Sequence, residues 1–321
     1  MLAASPLATP ECAAPDSPET LPRAMMNVAL LVAGGVLLCG LLEEALFSQA
    51  GFSTALYYLP ETLGWWAGHL LAVALCTFCL AQSYLQRHGL GDGLNRRRLL
   101  LAYGLGSLLM YIAMALVYRF GFFWLFENVD IWGEGQLAGP LLLVLFGLLQ
   151  FVVEIVLPLY LSLHLLAPKA SGAVPVRRVS GSTLALCFAG VLLVVNVKLT
   201  GQVLQLLDMF GVDYGGGVWN QPIVLANAGL LALVCYGAAR RALPERVRGF
   251  NLGRLLLAVA LTLLLYGFYA VLVIALMQQL ILAGAVFWLL IALVVFGLLQ
   301  LGLFWPLTLL GLRWGYRPQA A

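Results

Sequence analysis

Charged residues are scarce in this sequence. Only 10% of its 321 residues are Asp, Glu, Lys or Arg, while 63% are hydrophobic. Soluble domains carry about 25% charged and about 45–50% apolar residues. Such a chain cannot hide its apolar side chains in a water-soluble core, and the bilayer is its natural solvent. Basic residues are nearly missing from one set of loops, which holds only Arg119, and this excludes a random orientation. Cysteine is missing from the same loops, so no extracytoplasmic disulfide framework is implied by the six cysteines present. The opening residues lack the basic start and short apolar segment of a secretory leader. They are Ala- and Pro-rich, "MLAASPLATPECAAPDSPETLPRAMM", and predict a disordered cytoplasmic tail over residues 1–26.

Motifs of chemistry are missing too. There is no phosphate-cradling Gly-rich loop, no Gly-x-Ser-x-Gly elbow, no His-Glu-x-x-His metal site and no paired Asp-rich element. The sequence therefore names no catalytic set, no metal ligands and no cofactor. "EEALFS" opens with Glu43 and Glu44, yet Ser48 stands where the glutamate-type intramembrane protease motif wants Arg. "CTFC", Cys76 to Cys79, has redox spacing but lies in an apolar run, where small-residue packing explains it.

What is there is eight long apolar runs, at residues 27–48, 63–85, 99–118, 140–166, 182–207, 221–239, 254–279 and 284–312. About 20 apolar residues cross the hydrocarbon core, and backbone groups in lipid must be satisfied within the segment. The expectation is an all-α polytopic protein of eight transmembrane helices. With the N-terminus inside, fifteen of the seventeen Lys and Arg residues fall in cytoplasmic segments. That bias predicts a bacterial-type inner membrane with both termini cytoplasmic. The basic residues flank several different helices, which argues against nucleic acid as a partner.

Two phrases are written twice. "GLNRRRLLLA" at Gly93–Ala102 returns as "GFNLGRLLLA" at Gly249–Ala258, with seven of ten positions identical and an offset of 156. "FGLLQ" occurs at Phe146–Gln150 and at Phe296–Gln300. Asn95 and Asn251 are expected to cap the helices that follow. The echoes predict a duplicated unit (4+4): a first half over 27–166, a cytoplasmic linker over 167–181, a second half over 182–312 and a short C-terminal tail over 313–321. Four helices per unit is even, so the halves would be parallel, related by a pseudo-two-fold along the membrane normal.

The repeat register sets "AGGVLL" at Ala33–Leu38 against "FAGVLL" at Phe188–Leu193 and brings Glu43 opposite Lys198. Charge inside a bilayer usually faces a partner or a wet cavity. Substrate-binding or proton-relay candidates are therefore Glu43, Glu44, His69, Gln150, Glu154, Lys198, Gln202 and Gln300. Glu43 is expected to meet Lys198 between the halves, and Gln150 to meet Gln300 across the repeat. Trp65 and Trp66 read as interfacial anchors. The reading that follows is a transporter- or carrier-like protein with a polar cavity in the outer part of the membrane. The alternatives are a non-catalytic membrane subunit or assembly scaffold, and a membrane enzyme acting on a lipid-linked substrate. Beyond the lipid bilayer, the expected partner is a small-molecule substrate or another membrane protein.

Overall fold

A computed structural model describes residues 20–47, 51–89, 95–122, 124, 138–167, 178–209, 220–248, 250–282 and 286–316. The chain is almost entirely helical. In order it forms α1 (Thr20–Phe47), α2 (Gly51–His88), α3 (Arg96–Leu116), α4 (Ala138–Phe151), α5 (Leu157–Leu166), α6 (Gly181–Met209), α7 (Asn220–Ala242), α8 (Leu252–Leu282) and α9 (Val286–Gly315). Short strands β1 (Arg178–Ser180) and β2 (Arg246–Arg248) pair antiparallel, with Val179 opposite Val247. Helices α4 and α5 belong to one span joined by a π-helical turn, Val152–Val156.

Eight segments are long and apolar enough to cross a membrane, from Thr20–Glu43 to Val294–Gly315. Helix α2 has 38 residues, about 57 Å at 1.5 Å per residue, so it extends beyond a hydrocarbon core of about 30 Å. The first span starts earlier than the apolar run does. Thr20 to Arg23 are helical because Leu21 and Met25 are buried and because the Arg96 guanidinium donates to the Thr20 carbonyl at 2.8 Å. Residues 1–19, the rest of the expected tail, lie outside the described residues, as do 168–177 of the expected linker.

The faces are sorted inside out relative to a soluble bundle. On α3 the buried side chains are Leu99, Tyr103, Ser107, Tyr111 and Met114, at steps of three and four. The opposite face shows Leu101, Leu105, Leu109, Ile112 and Leu116 to the surroundings. In lipid an outward Leu costs nothing, and the inner face is free to hold hydroxyls.

The buried residues fall into two clusters. One contains Met25, Ala33, Leu85, Leu99, Tyr103, Ile155 and Leu159 from α1, α2, α3, α5 and the π-helical turn. The other contains Leu184, Phe188, Leu231, Leu255 and Phe304 from α6 to α9, joined by Phe78 and Cys79 of α2. Within the first four spans α1 packs on α2 and α3, and the fourth span packs on α2 and α3. Within the last four, α6 packs on α7 and α8, and α9 packs on α7 and α8. Between the two sets, α2 is the bridge, lying against α6, α7 and the start of α8. Close approach needs glycine in places: a Cβ on Gly190 would lie 2.6 Å from the Leu75 side chain across the α2–α6 contact, and one on Gly315 would lie 2.6 Å from the Ala258 backbone nitrogen.

Both copies of the repeated phrase do the same local job. Asn95 Oδ1 accepts from the Arg98 backbone N–H at 3.1 Å, and Asn251 Oδ1 accepts from the Arg254 N–H at 3.1 Å. Each satisfies a donor that the first turn of a helix leaves unpaired.

Candidate functional site

Buried polar side chains occur on most spans, and those of α2, α3, the fourth span and α6 include Thr77, Ser107, Glu154 and Asn196. Glu154 is the most deeply set of the acidic groups described, with 4% of its surface exposed. Its position follows from the sequence "VVEIVLP". Pro158 has no N–H to donate to the carbonyl of residue 154, and its ring crowds that carbonyl. The helix answers with a wider turn, in which the Leu157 N–H donates to the Val152 carbonyl five residues back. Such π-turns displace a residue from the regular helical register and recur at functional sites. Here the displaced turn carries Glu154 inward. Gln150, one turn earlier, donates from Nε2 to Glu154 Oε1 at 2.9 Å.

His69 on α2 faces α3, where its Nε2 lies 3.2 Å from the Tyr111 hydroxyl. Tyr111 is 8% exposed. The α3 face continues through Ser107 to Tyr103, whose hydroxyl is 3.3 Å from Thr77 Oγ1 of α2. From Tyr103 to Tyr111 is eight residues, about 12 Å of helix. Three separate hydrogen-bonded pairs, Thr77–Tyr103, His69–Tyr111 and Gln150–Glu154, thus lie within the first four spans.

Lys198 of α6 is exposed and meets Trp65 of α2. Its Nζ lies 5.7 Å from the Trp65 ring centroid, a distance at which the ring face attracts a cation. On either side of Lys198 in α6, Thr200 Oγ1 donates to Asn196 Oδ1 at 3.1 Å. The arrangement can hold a proton on Glu154, His69 or Lys198.

The remaining candidates are placed differently from the sequence expectation. Glu43 does not meet Lys198: its Oε1 lies 3.6 Å from Arg119 Nη1 at the end of α3, with both side chains largely exposed. The reason is helix placement, since α1 packs on α2 and α3 while α6 packs on α2, α7 and α8. Gln150 and Gln300 do not meet either. Each bonds within its own set of spans, Gln150 to Glu154 and Gln300 from Nε2 to the Tyr266 hydroxyl at 2.9 Å. The side chains of Glu44 and Gln202 lie outside the described residues. Trp65 sits beneath the Lys198 ammonium rather than serving only as an interfacial anchor. Sequence reasoning missed Tyr111, although Tyr103, Ser107 and Tyr111 recur every four residues and mark a polar helical face.

The cysteine spacing at Cys76 and Cys79 carries no redox geometry. Both are free thiols, and Cys79 packs in the second core cluster beside Cys187. Among the described residues no group of three or more His, Cys, Asp and Glu side chains could hold a metal ion. With the fold and the polar cluster described, comparison with known proteins adds no relative: no family model, no curated protein and no solved structure matches this chain.

Proposed function

We propose that this multi-pass membrane protein is transporter- or carrier-like, and that Glu154 is its proton-exchanging group. The observation that carries the reading is a buried carboxyl inside a span, on a π-turn and hydrogen-bonded by Gln150, in the same set of spans as the His69–Tyr111 pair. Stability does not account for it. A charged group at mid-span costs about 2.5–3.5 kcal/mol, whereas an interhelical hydrogen bond returns about 0.6 kcal/mol. A residue that costs more than its hydrogen bond returns is expected to serve a purpose other than holding helices. Loading and unloading a proton is the chemistry that carboxyl, imidazole and hydroxyl groups support.

The reading includes a duplicated unit, with the site beside the contact between the halves. Its support is the shared order of helix packing in spans 1–4 and 5–8, and the matched Asn95 and Asn251 caps. Glu154 and its counterpart Phe304 are both buried, at 4% and 0%, so one position serves polar chemistry in one half and packing in the other. The Arg-rich segments before α3, α6 and α8 and after α7 share one end of the bundle. We assign that end to the cytoplasm of a bacterial-type inner membrane, with the polar group nearer the outer side.

The test uses the full chain in liposomes loaded with a pH-sensitive dye under an imposed membrane potential. Proton entry should exceed that of protein-free liposomes and fall at least tenfold in Glu154→Gln. Equal rates for the wild type and Glu154→Gln would reject the role.

A further inference from the structure

A second feature lies at the Arg-rich end, away from the polar cluster. There the C-terminal turns of α2, the helix α5 and the first residue of α8 enclose a cleft of about 210 Å³. Its floor is aliphatic: Leu80, Leu159 and Leu163, with Leu159 and Leu163 nearly inaccessible. Its rim is basic, with Arg87 and His88 both exposed. One wall is a ladder of rings. His88 and Tyr84 lie 4.6 Å apart, Tyr84 and Tyr160 meet edge to face at 6.1 Å, and Tyr160 stacks on His164 at 5.6 Å and 7°. The Tyr84 hydroxyl is buried with no hydrogen-bond partner in the protein. Ser83 lies beside it on the cleft lining.

We infer that this cleft binds the headgroup of an anionic phospholipid. The chemistry is complementary along its depth. A phosphate would meet the Arg87 guanidinium and the His88 ring at the rim, where Arg presents a planar fork matched to phosphate oxygens. The orphaned Tyr84 hydroxyl and Ser83 would take a glycerol or ester oxygen below it; an unpaired buried hydroxyl otherwise costs about 1–3 kcal/mol. The acyl chains would run along the leucines, in the same order of polarity that the bilayer itself imposes. Basic pockets between spans on the cytoplasmic side select anionic lipid in this way. Position adds a consequence. Next to the cleft the Phe250 N–H donates to Gln86 Oε1, tying α2 to the segment before α8. A lipid lodged against α2, α5 and Leu252 would bridge the first four spans to the last four.

The site is independent of the transport reading, and its test reads binding alone. The full chain, purified in mild detergent, is mixed with phosphatidylglycerol or phosphatidylcholine, and retained lipid is counted by native mass spectrometry. The wild type should hold one phosphatidylglycerol in preference to phosphatidylcholine. Arg87→Ala with His88→Ala should lower that retention at least tenfold. Arg240→Ala, which removes an exposed charge not lining the cleft, should not. Should the double variant fail to fold, Tyr84→Phe with Arg87→Gln replaces it and should lower retention at least fivefold. No lipid preference in the wild type, unchanged retention in the cleft variants, or equal loss in Arg240→Ala would overturn the site. Soluble glycerol 3-phosphate should not compete at equal concentration; competition would show a free-phosphate site and overturn the lipid assignment.

Discussion

Replacing Glu154 by Leu separates a functional carboxyl from a structural one, because the two roles give stability changes of opposite sign. Leu has similar volume, suits the lipid-like interior and keeps the helix. Its substitution removes a mid-span polar group that costs about 2.5–3.5 kcal/mol and forfeits the Gln150 bond, worth about 0.6 kcal/mol. The difference is a net gain of about 2–3 kcal/mol. If Glu154 instead locked the fourth span to its neighbours as a buried charge, removing it would cost about 3–5 kcal/mol. Reversible unfolding in mixed detergent, followed by helical circular dichroism, resolves that swing. Greater stability in Glu154→Leu, with proton entry abolished, fits the present account. A loss above about 3 kcal/mol would refute the argument that this carboxyl is retained for chemistry, since it is the size expected of such a lock.

Other outcomes are more local. Asn95→Ala and Asn251→Ala should each lower unfolding stability by about 1 kcal/mol, and the Gly variants by only a few tenths; matched losses are what equivalent caps require. Tyr111→Phe should cost about 0.5–1.5 kcal/mol, the usual net worth of one hydrogen bond, while slowing proton entry well beyond what that loss explains. Pro158→Ala supplies the missing N–H and should shift the π-turn toward regular helix, raising helical stability and lowering proton entry together; amide exchange across Val152–Pro158 reports the change. Glu43→Gln should alter stability by less than about 1 kcal/mol, because its partner Arg119 is 3.6 Å away and both are largely exposed.

The spans were legible in the sequence because lipid permits a single solution for 20 apolar residues, and hydropathy reads that directly. The caps were legible because Asn before an apolar run has a local mechanism. Which charges meet was not legible. The repeat register set Glu43 against Lys198, but register orders residues along a helix and says nothing about which neighbour that helix packs on. Contacts placed α1 beside α3, and so Glu43 found Arg119. Glu154 was legible as a residue hard to excuse in lipid, yet its inward aim depends on one extra residue in the turn before Pro158. Periodicity at 3.6 residues per turn does not count that residue. Tyr111 was overlooked because its partner His69 lies 42 residues away on another helix, and sequence spacing does not show that they meet. The cleft near Arg87 was invisible for a different reason: α2, α5 and α8 approach one another only in three dimensions, and their basic residues looked like topology signals alone.

The central claim is that Glu154 gains and loses a proton inside the membrane. Infrared difference spectra of the reconstituted protein, cycled between acidic and alkaline bulk pH, test it most directly. A protonated-carboxyl band should appear and vanish with pH in the wild type and be missing in Glu154→Gln. The same band surviving in Glu154→Gln, or no titrating buried carboxyl in the wild type, would contradict the account.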